Sequence, residues 1–273
     1  MRQNYRFQLL APPRTRLVFG RTKISQQLYD QHLASMQSLR GRIYLKDGAI
    51  QPWEVEENGR FPMRGDEQSW HFLLIDGEEN TVGCARYLVH PNTVPFEMLR
   101  IAKCPLARHS RWGSKVRAAV EADLQRARRE DLSYVEIGGW ALSEEWRGTR
   151  AALEILVASY ALAHLWGGCL GSCMATVRHH SSSILRRIGG VSLGVNGEAI
   201  PPYEDPRYGC TMELLRFDSD SPTQRFVALI NQLKAKLSST SVIQRAKAPV
   251  WTKFTGEAAE HQLRLVPVGP VYY

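Results

Sequence analysis

The stretch richest in candidate chemistry is residues 134–152, YVEIGGWALSEEWRGTRAA. An apolar, β-branched run (133–142) enters a polar turn (143–147), and the turn opens an apolar helix. A helix start leaves backbone N–H groups unpaired at the positive end of the helix dipole, and such a terminus holds phosphate without a special side chain. Gly148, Thr149, Ala151 and Ala152 are small enough to let an anion approach, and Arg147 and Arg150 supply donors suited to phosphate oxygens. An Arg-Gly turn is also an ordinary strand-to-helix connection. The turn alone therefore leaves an anion site and a plain loop both open.

Other constellations are poorer. Cys169 and Cys173 lie near His164, His179 and His180, a spacing that a zinc site could use. No second close Cys pair completes it, so the reading is buried thiols and no metal. Arg178-His179-His180-Ser181 lacks the G-x-S-x-G elbow of a Ser/His hydrolase. The Trp and Tyr residues are dispersed, without the basic groove pattern that stacks nucleic acid, so core packing and pocket lining are expected of them.

The elements that must position these residues follow from periodicity. Residues 25–45 carry Leu28, Leu33, Met36 and Leu39 near helical spacing. A long loop, 46–69, follows, then two strands, 71–76 and 81–89, with a further short strand expected over 96–102. Residues 114–131 form an amphipathic helix and 133–142 a strand. A mostly apolar helix over 151–167 stops at Gly167–Gly168. Next come a strand over 171–179, a Ser-capped helix over 181–190, strands over 191–195 and 210–217, and a helix over 222–238. Residues 1–22 read as basic and irregular, and 240–273 as an unassigned tail. This order describes a mixed α/β fold, with helices covering a largely antiparallel sheet.

Composition narrows the class. The chain has 273 residues, 44% of them hydrophobic, enough for a substantial core. No apolar run approaches a membrane span, and the N-terminus lacks the apolar core of a secretory signal. Five Cys without such a signal point to free thiols in a reducing, cytoplasmic setting. The 35 Lys and Arg exceed the 27 Asp and Glu by 8. No nucleic-acid motif accounts for that excess.

The segment around the turn resembles the GNAT acyltransferase superfamily, whose phosphate turn reads R/Q-x-x-G-x-G/A after a strand and before a long helix. Arg147 matches the first position and Ala152 the last, and Arg150 replaces the middle Gly. Residues 175–193 resemble the family's second half, with Gly189 at its Gly and Gly190 in place of an aromatic residue. The strand over 81–89 resembles an earlier family strand, and the likeness spans 25–217. It implies a splayed central strand pair. It also implies that the N–H groups of Gly148, Thr149, Arg150, Ala151 and Ala152 hold the phosphate of a phosphopantetheine thioester, carried by CoA or by acyl carrier protein. The strand running to Trp140, Ala141 and Leu142 would follow the pantetheine arm, and a backbone N–H there would polarise the thioester carbonyl. Glu136 falls where some members keep a general base. The Tyr that many members use as an acid toward the leaving thiolate is replaced by Leu185.

L-R-G-R-I-Y (39–44), Trp53, an acidic loop ending at Asp66 and G-C-A-R-Y-L (83–88) occur in an order similar to that of acyl-homoserine-lactone synthases and N-acyl amino acid synthases. That resemblance implies that Arg42, Trp53, Asp66 and Arg86 bind substrate. The implied domains are an N-terminal extension (1–22), the acyltransferase domain (23–220) and a C-terminal helix and tail (221–273). The implied reaction moves an acyl group to the amine of an amino acid or similar small molecule. A short-chain acetyl-CoA enzyme and a non-catalytic thioester-binding module are the alternatives. The basic residues Arg147, Arg150, Arg178, Arg186 and Arg187 would then form a rim that steers an acidic carrier protein.

Overall fold

The computed structural model describes residues 4–13, 15 and 19–246. In chain order the elements are β1 (Tyr5–Ala11), β2 (Arg21–Ile24), α1 (Gln26–Lys46), β3 (Trp70–Asp76), β4 (Thr81–His90), α2 (Gly113–Arg129), β5 (Ser133–Leu142), α3 (Arg150–Leu165), β6 (Cys169–Thr176), α4 (Ser181–Ile188), β7 (Val191–Ser192), β8 (Gly194–Val195), β9 (Glu198–Ala199), β10 (Tyr203–Asp205), β11 (Cys210–Asp218), α5 (Val227–Ser238) and β12 (Ser241–Gln244). One sheet runs β10, β11, β6, β5, β4, β3, β1, β12, β2, with β7 beside β11, while β8 and β9 form a separate hairpin. The β5–β6, β1–β12 and β12–β2 pairs are parallel and the others antiparallel. The fold is the mixed, largely antiparallel sheet flanked by helices that the sequence implies.

Side-chain alternation divides the core between the two faces. Leu9, Phe72, Leu74, Val135 and Leu215 pack under α3, α4 and α5. On the other face Leu10, Leu73, Ile75, Cys84 and Ala141 pack under α1, and Tyr134, Leu170 and Leu214 under α2. Ser25 caps α1 by accepting from Leu28 N–H, and Thr149 caps α3 by accepting from Ala152 N–H, each at 3.3 Å.

Two irregularities in β5 shape the centre of the sheet. β5 and β6 pair from Ser133 and Cys169 only as far as Ile137 and Cys173, yet β5 continues to Leu142 and β6 to Thr176. The two strands therefore part in the middle of the sheet. Against β4, Cys84 faces Ala141 and Arg86 faces Gly138, so Gly139 and Trp140 oppose the single residue Ala85. Gly139 has φ +61°, and a Cβ there would lie 2.9 Å from Arg86 Cβ, so the bulge requires glycine.

Several expectations need correction. Residues 5–11 and 21–22, expected to be irregular, lie in the sheet strands Tyr5–Ala11 and Arg21–Ile24, and 241–244 within the unassigned tail is a strand too. The expected tail residues 247–273, and residues 1–3, 14 and 16–18 of the expected extension, lie outside the described residues. Residues 96–102 are not a strand but 3₁₀ turns at Phe96–Met98 and Arg100–Lys103, with another at Pro105–Arg108. β4 already pairs on both edges, so the apolar residues Phe96, Leu99 and Ile101 pack over α2 instead. Helix α4 starts after His180 in the left-handed region (φ +61°), with no side-chain cap from a serine. Helix α5 begins at Val227, after a 3₁₀ turn at Gln224–Phe226.

Candidate active site

The parting of β5 and β6 opens a crevice beneath α3 and α4, walled by Tyr87, Ile137, Trp140, Leu156, Cys173 and Leu185. Its volume is about 30 Å³, room for a water but not for an extended acyl chain. Burial pushes the Cys169 and Cys173 thiols up to about 12. They stay protonated at neutral pH, which removes them as nucleophiles. Leu185 gives this wall an apolar surface and supplies no proton.

At the end of β5, Gly148 (φ +72°) turns the chain into α3, and the space where its Cβ would stand is open. Thr149 Oγ1 is occupied by Ala152 N–H. The N–H groups of Arg150 and Ala151 belong to the first turn of α3, which has no carbonyls upstream to receive them. The Arg150 side chain is drawn along the helix to Glu154, at 2.7 Å. Arg147 reaches instead to Asp47 at the end of α1, with Nη2 3.1 Å from Oδ2. Lys46 pairs with Glu144 beside it. Arg178, just beyond β6, donates to the carbonyls of Asp47 (3.2 Å), Gly48 (3.4 Å) and Gly209 (2.7 Å). The end of α1 is thus tied to the far ends of both parted strands.

A buried ionic cluster occupies the opposite face. Arg40 on α1 makes a two-pronged pair with Asp66, with Nη1 3.1 Å from Oδ1 and Nη2 also on Oδ2, and it donates to Phe61 O at 3.0 Å. Asp66 Oδ2 also accepts from Gln37 Nε2 and Met63 N–H, both at 2.9 Å. Arg86 on β4 donates through Nη1 to Arg64 O at 2.9 Å, and that nitrogen lies 3.5 Å from Asp66 Oδ1. Burial would push the Asp66 carboxyl up, but the Arg40 guanidinium outweighs it and holds the pKa below the usual carboxylate range. Burial lowers His71 to about 4, and its neutral ring donates from Nε2 to Asp66 O at 2.7 Å. Burial, followed by the neighbouring Arg100 charge, lowers Arg86 to about 10.

Glu136 projects from β5 on this same face and is 5% exposed. Its Oε1 accepts from Arg100 N–H at 2.6 Å, and its Oε2 lies 2.9 Å from His90 Nε2. Each oxygen keeps a further lone pair.

Of the residues expected from sequence, Asp66, Arg86 and Glu136 share one face, Trp140 lines the crevice, and 147–152 stand at its end. Arg42 does not join them. It is exposed on α1, and Arg40, two positions earlier, takes the buried place. Two residues are about 200° of helix, so only one of these arginines can face the sheet. The buried positions Met36, Arg40 and Ile43 set that phase. Trp53 is 80% exposed on a 3₁₀ turn and lies outside the cluster. Sequence reasoning also missed Arg100, His90 and His71, none of which sits in a motif.

A scan against protein-family models returns no match, and neither does a search of curated proteins. Solved structures do match. The CoA-dependent acyl-homoserine lactone synthase BjaI, with SAM and isopentyl-CoA, gives a TM-score of 0.51 at 14% identity, covering 89% of this chain and 94% of that one. BjaI with MTA gives 0.52 at 16% identity over the same shares. The chain has the fold of the acyl-homoserine lactone synthases. MesI, another CoA-dependent acyl-homoserine lactone synthase, agrees, with a TM-score of 0.51 at 16% identity over 84% of this chain and 95% of that one. At these identities the likeness to the synthases is one of fold, and it is the fold that the turn at Arg147–Ala152 implied. Among the described residues, no helix is long and apolar enough to cross a membrane.

Proposed function

We propose that this chain is an acyltransferase, moving an acyl group from a phosphopantetheine thioester to the amine of an amino acid or similar small molecule. The observation that carries the reading is the parting of β5 from β6 after Ile137, with the α3 N-terminus at its end. The first-turn N–H groups hold the donor's phosphate, with Arg147 beside them. The unpaired edge of β5 from Gly138 to Leu142 receives the pantetheine arm, and a backbone N–H near Trp140 polarises the thioester carbonyl. The amine nitrogen attacks that carbonyl carbon, its proton passes to Glu136, and the C–S bond breaks as the thiolate leaves with its electron pair. Positioning carries the reaction without a covalent enzyme intermediate.

The small crevice favours a short acyl group, which keeps the acetyl-CoA reading as the second one. A carrier-protein donor would meet a rim whose charges are already engaged, Arg147 with Asp47, Arg150 with Glu154 and Arg186 with Glu213. Docking then exchanges ion pairs rather than filling vacant ones.

Thiol release from acyl-CoA and acyl-carrier-protein donors of graded chain length, each with a panel of amines, tests the reading. Release that requires an amine supports it. Measurable donor binding with no amine-dependent release would leave a thioester-binding module instead.

A further inference from the structure

A second cavity lies under the first half of α1, over β1, β12 and β2. Its volume is about 320 Å³, against about 30 Å³ for the crevice. That reaches the range of small-molecule sites, about 300–1,000 Å³. The sequence explains why it stays open. Leu28, Gln31, His32 and Ser35 stand at i, i+3, i+4 and i+7, so they share one face of α1. Apart from Leu28 that face is polar, and it does not seal against the sheet as Tyr29, Leu33 and Met36 do. Below it, Leu10, Ile243 and Lys23 are register neighbours across β1, β12 and β2. Leu10 and Ile243 pack under α1, which puts Lys23 on the same face. The next positions on that face are polar too, Gln8 and Arg6 on β1 and Ser241 on β12.

The charges around the cavity leave one sign in excess. Arg6 is spent, with Nε and Nη2 on Glu79 and Nη1 3.4 Å from Gln8 Oε1. Gln8 is 4% exposed and fixes the floor by donating to Ser241 O at 2.9 Å. Lys23 and His32 differ. Among the described residues, neither side chain has a hydrogen-bond or ion-pair partner. Glu79 is neutralised by Arg6, so an anion entering the cavity meets one free ammonium and one free imidazole. Burial, followed by the Arg6 charge, lowers His32 below its ordinary value, and Glu79 opposes them. The imidazole is therefore neutral at pH 7. An anion beside it would favour its protonated form. The charged groups facing His32 are Arg6 on β1, Lys23 on β2 and Glu79 in the β3–β4 turn, while β12 brings only Ser241 and Ile243.

We infer that this cavity is a binding site for a small organic phosphate. The phosphate oxygens accept from Lys23 Nζ and from His32, whose ring gains a proton as the anion arrives. Leu28 and Ile243 receive the apolar part of the molecule. Lys23 and a protonated His32 supply two positive charges, which matches the dianion of a phosphate monoester better than a single carboxylate. The site is separate from the donor-phosphate site proposed at the start of α3, and it does not depend on acyl transfer.

The test is calorimetric titration of the full chain with phenyl phosphate, and with inorganic sulfate, which does not titrate near neutral pH. Phenyl phosphate should bind saturably. Lys23→Met should weaken it about tenfold, the scale of one charge-assisted hydrogen bond. Lys23 is exposed, so that variant keeps the fold even if a change at half-buried His32 does not. Sulfate should take up a proton on binding at pH 7, and its affinity should rise about threefold or more from pH 7.5 to 6. His32→Gln should abolish both effects. Neither variant should alter the affinity for CoA. No saturable binding of phenyl phosphate, an unchanged affinity in Lys23→Met, or sulfate binding indifferent to pH overturns the site. So does displacement of phenyl phosphate by CoA, which would put the anion at the α3 turn instead. Tighter binding of succinate than of phenyl phosphate would overturn the choice of ligand and leave a dicarboxylate site.

Discussion

Replacing Gly139 with alanine tests whether the bulge holds the two halves of the candidate site in place. Gly139 sits at φ +61°, where a residue with a Cβ is disfavoured by about 1–2 kcal/mol. The new Cβ would also fall 2.9 Å from Arg86 Cβ and 3.3 Å from Arg40 Nη1, both fully buried groups that cannot swing into solvent. Overpacking of that kind costs a further ~1–3 kcal/mol. The sum, roughly 2–5 kcal/mol, corresponds to a drop in Tm of about 5–15 °C for a domain of this size. Gly138→Ala is the internal control. Its φ is not in the left-handed region, and its new Cβ would stand at ordinary contact distance from a single guanidinium nitrogen. It should therefore melt within about 2 °C of wild type. Calorimetry on the two variants decides the matter. A Gly139→Ala protein as stable as wild type, or equal losses at both positions, would refute the argument that the bulge is fixed by backbone strain against the buried arginines.

Three further outcomes are expected. Glu136→Gln should lower kcat by about a hundredfold or more and leave donor affinity nearly unchanged, and an unaltered kcat in single-turnover assays would remove Glu136 from proton transfer. Asp47→Asn should free Arg147 and tighten donor binding by up to about fivefold, the scale of a partly exposed ion pair, while Arg147→Ala weakens it; calorimetric titration with CoA reads both. His71 carries a pH signature. Its folded pKa, about 4, lies below the unfolded value near 6.5, so the unfolded state gains the proton first and stability is lost as pH falls through that window. The loss should reach roughly 2 kcal/mol between pH 6.5 and 5 in denaturant unfolding, and His71→Gln should flatten that slope.

The site was legible where chemistry and local pattern coincide. Strand β5, its turn and α3 follow from an apolar run, a polar break and small residues, all within one contiguous stretch. The missed strands lack any local signal. β1 is buried on both faces, so Phe7 to Ala11 show no alternation, and β2 is exposed at every position. Their pairing with β12 joins residues more than two hundred positions apart, which no window of sequence reveals. That Arg40 rather than Arg42 is buried against the sheet has a different origin. A motif match fixes residue types but not helical phase, and phase was present in the spacing of the buried residues. Arg100 was hidden because its apolar neighbours mimic a strand, while prolines at 95 and 105 bound a segment of short turns.

The place of β12 has a consequence for synthesis. It lies between β1 and β2 and pairs with both in parallel, at Leu9–Ala11 on one side and Arg21–Ile24 on the other. Nearly the whole sheet can assemble as the polypeptide leaves the ribosome, but the outer edge of β1 has no neighbour until residue 244 has emerged. Until then the nascent chain carries an open, apolar strand edge, the kind that recruits other chains. β2 stays detached for the same interval, because β12 is its sheet neighbour. A stalled or clipped product lacking 241–244 would thus lose two strands rather than one. It would retain the crevice and the arginine cluster while exposing a surface for aggregation, so its solubility should fail before its donor binding does.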